Sequence, residues 1–349
     1  MKFNGCHSKK VSIIIVNYNG ERFIKKLIQS LSQQTYNNFE VIFVDNASRD
    51  KSVKILMNLV REKFKNMDIK LVCNSINLGF CGGNNTGLKY CTGEYVVFLN
   101  NDTFVDTKWL EELVKVLDSD DTIAICQSRL IDAHTGQLQA IGGFHGIYGK
   151  GSCYPNVRVN KVDGSIVVDG FFYGVGASII VRKKALIKCG GFDDKLFLGD
   201  VDLSWRIRLL GYRIVTNPAS ICYHYGSYAT KRYVHSIQLL YHVFREKLRI
   251  LLKMYSLSYL VKRVPIWAMI SLMLAIYLTI RDKKPYLLSW FKAIMWNIKY
   301  GKDTLLLRRF VQRNRKIDDM QIEQYMLPYP SEIYELRKKM LNRTFLKLN

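Results

Sequence analysis

The chain has 349 residues, 48% hydrophobic and 23% charged, with no low-complexity tract, which excludes a disordered or fibrous protein and allows more than one domain. Its net charge of +23 is uneven: residues 231–349 carry 24 Lys and Arg against 8 Asp and Glu, residues 1–230 carry 28 against 21. A basic tail calls for an anionic partner; no recognised nucleic-acid module accompanies it, so membrane lipid or a lipid-linked phosphate is expected and nucleic acid is not.

Val11 to Val16 is a β-branched run that breaks at Asn17-Tyr18-Asn19-Gly20, and Phe23, Leu27, Ile28 and Leu31 then mark one face of a helix. Phe39 to Val44 predicts a second buried strand, Lys51 to Phe64 a second amphipathic helix, and Ile69 to Cys73 a third strand. A glycine-rich loop, Gly79 to Gly87, and a short helix lead to a fourth strand, Tyr95 to Leu99. That strand stops abruptly on Asn100-Asn101-Asp102. Further along come a helix at 107–117, a strand at 122–127, loops and a hairpin over 128–165, and a strand at 174–181. A helix opens at Asp200 and closes at Gly211, and a strand follows from Tyr212 to Asn217.

Strands alternating with helices predict βαβ units and a parallel, right-handed, doubly wound sheet. Four consecutive strands end in polar residues: Asn17 and Asn19, Asp45 and Asn46, Asn74 and Asn77, Asn100 to Asp102. In open α/β sheets ligands bind at that carboxyl edge, and a nucleotide-sized ligand suits it. Asp102, a carboxylate among neutral oxygen donors, suits a hard cation such as Mg²⁺ or Mn²⁺; it could equally cap the helix at 107–117. The 79–87 glycines fit neither a Walker A nor G-x-G-x-x-G, and either let backbone approach a ligand or shape a turn.

Seven stretches in order carry a resemblance: Asn17-Tyr18-Asn19 after the first strand, Asp45-Asn46-Ala47-Ser48, Asn77-Leu78-Gly79-Phe80, Leu99-Asn100-Asn101-Asp102, Gly190-Gly191-Phe192-Asp193, Asp200-Val201-Asp202-Leu203-Ser204-Trp205-Arg206, and His224. Over roughly residues 11–228 the succession resembles family 2 glycosyltransferases, and within them a rhamnosyltransferase-like branch. The resemblance implies a GT-A fold, an α/β Rossmann-like sheet. It also implies a nucleoside-diphosphate sugar donor, a divalent metal (Mg²⁺ or Mn²⁺) and inversion at the anomeric carbon. Carried over residue by residue, it makes Asp102 and His224 metal ligands and Asp200 the general base. Asp45, Asn17 and Tyr18 fall at the nucleobase, with Asn77, Asn85 and Asn101 elsewhere in the donor site. Two positions depart from the pattern, Asn100 in place of the first acid of Asp-x-Asp and Gly199 in place of Glu. Those departures keep open a non-catalytic nucleotide-sugar or glycan-binding protein. His224 has an alternative place in an aromatic core between Tyr223 and Tyr225, and Asp202 and Asp45 have alternatives as helix caps.

The glycosyltransferase-like domain is expected over 1–230 and a basic helical domain over 231–349. Tyr233, Ile237, Leu240, Tyr241, Phe244, Leu248, Leu251 and Leu252 form one stripe. Val264 to Ile280 is uncharged for 17 residues, just under the length of about 18–20 that spans a bilayer. Lys262, Arg263, Arg281, Lys283 and Lys284 flank it. Leu287, Phe291, Ile294, Met295 and Ile298 recur at helical spacing, with Lys292, Asn297 and Lys299 opposite, the pattern of an interfacial helix. Eight cysteines without a C-x-x-C pair and a polar Met1–Lys10 predict reduced thiols and no secretory signal. The expected place is the cytoplasmic side of a membrane, peripheral or shallowly inserted, with a glycan or polyprenyl-linked acceptor.

Overall fold

The computed structural model describes residues 8–145, 151–153, 158–162, 165–197, 199–226 and 236–327. Strand β1 (Val11–Asn17) leads into helix α1 (Glu21–Ser32), β2 (Phe39–Asp45) into α2 (Ser52–Glu62), and β3 (Ile69–Cys73) into α3 (Gly79–Leu88). Then come β4 (Tyr95–Asn100), a short β5 (Thr103–Val105), α4 (Trp109–Ser119) and β6 (Ile123–Asp132). Small strands β7 (Leu138–Ala140), β8 (Gly143–His145), β9 (Gly151–Cys153), β10 (Arg158–Val162) and β11 (Ser165–Asp169) occupy the stretch expected to hold loops and a hairpin. β12 (Ser178–Arg182), α5 (Lys183–Cys189), α6 (Asp200–Leu209) and β13 (Arg213–His224) complete the sheet region. The tail is helical: α7 (Ser236–Met254), α8 (Leu257–Asp282), α9 (Tyr286–Lys299), α10 (Gly301–Asn314) and α11 (Asp319–Glu323).

The main sheet runs β10-β11-β13-β6-β12-β4-β1-β2-β3. β3, β2, β1 and β4 are parallel, as are β6 and β13, but β12 lies antiparallel between β4 and β6. The sheet is mostly parallel, as expected of the fold, with β12 an antiparallel strand inside it. β12 runs in the direction of the preceding strand β11, which is itself antiparallel to β13. β13 also runs seven residues beyond its expected end. An irregularity between Asn217 and Ile221 re-aims it, so that it pairs with β5 and His224 lies opposite Thr103.

β1, β2 and β4 are buried on both faces, as their unbroken apolar runs require. Ile13, Ile15, Val41, Phe43 and Val97 meet α1 and α4; Ile14, Ile42, Val44, Val96 and Phe98 face α3, α5 and α6. The second cluster continues into the tail through Leu248, Leu251, Trp267 and Val311.

The glycine-rich segment expected to be a loop is helix α3 itself. A Cβ at Gly83 would stand 2.6 Å from Val16 and one at Gly87 2.6 Å from Ile14, so these glycines let the helix lie directly on β1. Helical propensity argues for a loop at about 1 kcal/mol per glycine, and close packing on the sheet overrides it.

The tail helices are inverted. α9 buries Tyr286, Ser289, Ala293 and Asn297 and exposes Leu288, Phe291, Met295 and Ile298. Asn297, expected on the outer polar face, instead turns inward, and its amide donates to the Arg245 carbonyl at 3.0 Å. α8 likewise buries Trp267, Ser271 and Ala275 and exposes Met269, Met273, Ile276, Tyr277 and Ile280. Tyr233 and the expected boundary at 230 lie outside the described residues.

Candidate active site

The carboxyl ends of β1, β2 and β4 are joined by one buried amide. Asn17 Nδ2 lies 3.2 Å from Asp45 Oδ1, 3.0 Å from Ser48 Oγ and 2.9 Å from Ser52 Oγ, while its Oδ1 accepts from Asn101 Nδ2 at 2.9 Å. Asp45 Oδ2 accepts the Ser48 N–H at 3.1 Å. Gly20 is fixed by this knot, because a Cβ there would stand 2.2 Å from Asn17 Oδ1. Tyr18 is half-buried on the same turn.

At the tip of β4, Asp102 and His224 face each other, with only 6% and 7% of their surfaces exposed. His224 Nε2 lies 3.2 Å from Asp102 Oδ1 and 3.4 Å from Asn100 Nδ2; its Nδ1 lies 2.8 Å from Gln139 Oε1 on β7. A carboxylate oxygen and an imidazole nitrogen this close and this buried need a cation, either a proton or a metal. Two neighbouring ligands of octahedral Mg²⁺, at about 2.1 Å each, stand about 3.0 Å apart, so the pair fits as part of such a site. Among the described residues no group of three or more His, Cys, Asp or Glu could hold a metal. The remaining positions would fall to water and substrate phosphate, the usual company of Mg²⁺ in a transferase site. His224 is therefore not merely a member of an aromatic core, although Tyr223 and Tyr225 both stack or tilt against Phe104.

Asp200 opens α6. Its Oδ2 accepts the Gly176 N–H at 3.3 Å and its Oδ1 the Val201 N–H at 2.9 Å. Burial pushes this carboxyl above its ordinary value, and the backbone N–H groups pull it partway back. The adjoining Ala177 carbonyl accepts the Asn100 N–H at 3.0 Å, so the 176–177 backbone joins Asp200 to the tip of β4. Asp200 and Asp102 thus gather around one end of the sheet. Gly199 has a steric cause, since a Cβ there would stand 2.4 Å from Cys81 Sγ and 2.9 Å from Phe192. Glu cannot occupy this position unless the Cys81 and Phe192 side chains give way.

Not every expected residue points into this cluster. Exposed Asn77 accepts the Gly79 N–H at 2.8 Å and starts α3. Asn85 spends its amide on the Phe192 backbone, donating to the carbonyl at 2.9 Å and accepting from the N–H at 3.0 Å. Asp202 is not a cap, because its carboxylate is buried against Arg206 and Lys253. Sequence reasoning missed Gln139, Gly176 and Cys81. Gly174-Val175-Gly176 before a strand does signal close backbone approach, whereas nothing around Gln139 sets it apart.

Comparisons with known proteins bear on the family and the fold. The family model described as "Glycosyl transferase family 2" matches residues 12–186. An uncharacterized glycosyltransferase of Haemophilus influenzae is 34% identical over 122 residues, 34% of this chain and 36% of that protein. UDP-Glc:alpha-D-GlcNAc-diphosphoundecaprenol beta-1,3-glucosyltransferase WfgD of Escherichia coli is 35% identical over 108 residues, 31% of this chain and 40% of that one. Each match spans less than half of the relative's length. In fold, the chain is similar to the mannosyltransferase PcManGT from Pyrobaculum calidifontis, solved with GDP-Man and Mn²⁺. The TM-score is 0.53 at 16% identity, over 91% of this chain and 85% of that one.

Proposed function

This chain belongs to glycosyl transferase family 2, and from that premise we propose that it transfers a sugar from a nucleoside-diphosphate donor to a glycan or lipid-linked acceptor, inverting the anomeric carbon. One observation carries the proposal: Asp200 accepts the Gly176 N–H, and the next residue, Ala177, accepts the N–H of Asn100, the last residue of β4, whose side-chain amide contacts His224 beside Asp102. A sugar between Asp200 and Asp102 would have a base on one side and its leaving group on the other.

Asp102 and His224 would hold a divalent ion, which when bound neutralises charge on the leaving diphosphate. Asp45 keeps lone pairs for the imide N–H of a nucleobase, with Tyr18 alongside. Asn17 and Asn101 lock that pocket to β4. Asn85 acts at one remove by holding Phe192 against Gly199. Asp200 takes the proton of the acceptor hydroxyl as its oxygen bonds to the anomeric carbon; the bond to the donor phosphate breaks, and its electron pair leaves on the diphosphate. Burial makes Asp200 a stronger base than an exposed aspartate. The WfgD acceptor, a diphosphoundecaprenol-linked sugar, and the Mn²⁺ bound to PcManGT support the acceptor class and the metal.

The inverted tail supports a membrane-facing role. α8 is long and apolar enough to cross a membrane by length and composition. Its inner side is nevertheless pinned: Trp290 Nε1 donates to Ser271 Oγ at 2.9 Å, and Arg263 pairs with Glu323 at 2.6 Å. Spanning would break these contacts, so α8 and α9 lie in the interface with exposed Lys262, Lys283, Lys284, Lys292 and Lys299 at its anionic headgroups. Flotation with anionic vesicles and not with neutral ones is expected; protein left unbound by both overturns the membrane role.

The activity is tested by incubating the protein and Mn²⁺ with UDP-, GDP- and dTDP-sugars, dTDP-rhamnose included, and measuring released nucleotide. Metal-dependent release from one donor is expected. Binding of a donor with no release, even when glycan and polyprenyl-diphosphate acceptors are supplied, would favour the non-catalytic reading.

A further inference from the structure

Gln139, which contacts His224, belongs to none of the family's motif stretches in this chain. We infer that Gln139 is a positioning residue that sets which nitrogen of His224 faces the donor site. The inference rests on the divalent-ion reading of that site.

Gln139 arrives on a built support. β7 pairs with β6 on either side of a register irregularity, Leu130 opposite Ala140 and Ile131 opposite Leu138. The connecting turn is held by Asp132, whose Oδ1 accepts the N–H groups of His134 and Thr135 at 2.9 Å each. It is tied to the end of β13 by Ala133 N–H on the His224 carbonyl at 3.0 Å. On the far side stands Gly226, with φ +74°, where a Cβ would come within 2.9 Å of Gln139 Nε2. The amide is thus confined between the His224 ring and a glycine.

Two amides then read the ring the same way. Gln139 presents its carbonyl oxygen to Nδ1, which calls for a proton on Nδ1. Asn100 presents its NH₂ to Nε2, which calls for a lone pair on Nε2. In that tautomer the bare Nε2 and the Asp102 carboxylate aim two acceptors at one point, an arrangement complete only with a cation. A partner on the outer nitrogen is the usual means of orienting a metal-binding histidine. If both amides were turned over, the Nε2 proton would satisfy Asp102 directly and Gln139 would have no such role.

The test uses the full chain labelled with ¹⁵N-histidine, with the His224 signals assigned by their loss in His224→Asn. Metal-free protein should carry the His224 proton on Nδ1, and Gln139→Leu should move it at least partly to Nε2. Mn²⁺ affinity measured by EPR in the presence of nucleoside diphosphate should weaken about 10–100-fold in Gln139→Leu. Gln139→Glu, which keeps an acceptor oxygen, should bind Mn²⁺ nearly as the parent does, and the metal-free unfolding temperature should be unchanged in both variants. A parent spectrum with the proton on Nε2, or a Gln139→Leu variant that binds Mn²⁺ like the parent, overturns the role of Gln139 alone. A parent protein that binds no Mn²⁺ with any nucleoside diphosphate overturns the donor-site reading and this inference together.

Discussion

Two buried polar clusters flank α6, and they are built on opposite terms. Where the tail meets the sheet, Asp193 accepts from Arg249 at 2.7 Å and 3.1 Å and from Lys253 at 2.5 Å. Lys253 also reaches Asp202, Arg206 holds the other Asp202 oxygen at 2.6 Å, and Arg249 extends to Asp303 at 2.5 Å. Three acids there meet three bases, and the charge closes on itself. At the carboxyl ends of β2 and β4, Asp45 is held by the Asn17 amide and the Ser48 N–H, Asp200 by the Gly176 and Val201 N–H groups, and Asp102 by the His224 imidazole. Among the described residues no Lys or Arg pairs with any of the three. Buried acids that the fold has neutralised hold the molecule together; buried acids paired with no Lys or Arg are where the proposed metal and substrate would bring positive charge.

The comparison breaks most visibly at Asp200. Asp200→Asn keeps an acceptor for Gly176 or Val201 but cannot take a proton, so sugar transfer should fall about 10²–10⁴-fold while the unfolding temperature stays put. In the parent, kcat/KM should fall as pH drops through the Asp200 pKa, and that limb should lie above the ordinary aspartate range because burial raises it. A variant with near-parental turnover would mean that another group is the base.

The junction should respond in the other currency. Asp193→Ala leaves Arg249 and Lys253 buried without their carboxylate and should cost about 3–5 kcal/mol in urea unfolding. A loss under about 1 kcal/mol would show that the network relaxes easily. A smaller loss is expected from Gly199→Ala, whose new Cβ meets Cys81: about 1–3 kcal/mol. Adding Cys81→Ala should recover part of it, and strictly additive losses would mean the two sites do not touch.

The finest contrast lies at the other edge of the sheet. Burial would raise the Glu40 pKa, but Ser12 Oγ at 2.6 Å, the Thr92 N–H at 2.7 Å and Lys10 hold it down at about 2. The folded state thus prefers the ionised form. Its stabilisation should be complete above the ordinary glutamate range, near pH 4.5, and be lost as pH falls towards 2. The urea midpoint measured from pH 6 to 3 should decline less steeply in Glu40→Gln; identical slopes would remove Glu40 as the cause.

Much of this was legible in the chain. Apolar runs ending in Asn, Asp or Ser fix the strands and place Asn17, Asp45 and Asp102 at one edge, because strand ends in a βαβ unit fall together. What stayed hidden depends on contacts between distant segments. Gly83 and Gly87 are four residues apart, which is the mark of one helix face, yet the stretch reads as loop until β1 is known to lie beneath them. β12 reads as one more strand, and its direction follows only from its pairing with β4 and β6. Asp193 stood in a recognisable motif, but its partners Arg249 and Lys253 are 56 and 60 residues further on. Gln139 lies in a stretch without periodicity, so nothing local announces it.

The claim beneath all of this is that the Asp102–His224 pair lacks a positive charge that a divalent ion supplies alongside the donor. Calorimetric titration of nucleoside diphosphate with and without Mn²⁺, on the parent, Asp102→Asn and His224→Asn, tests it most directly. The account predicts that Mn²⁺ tightens binding to the parent at least tenfold and has little effect on either variant. Equal affinity with and without the metal in the parent, or the same metal effect in all three proteins, would contradict it.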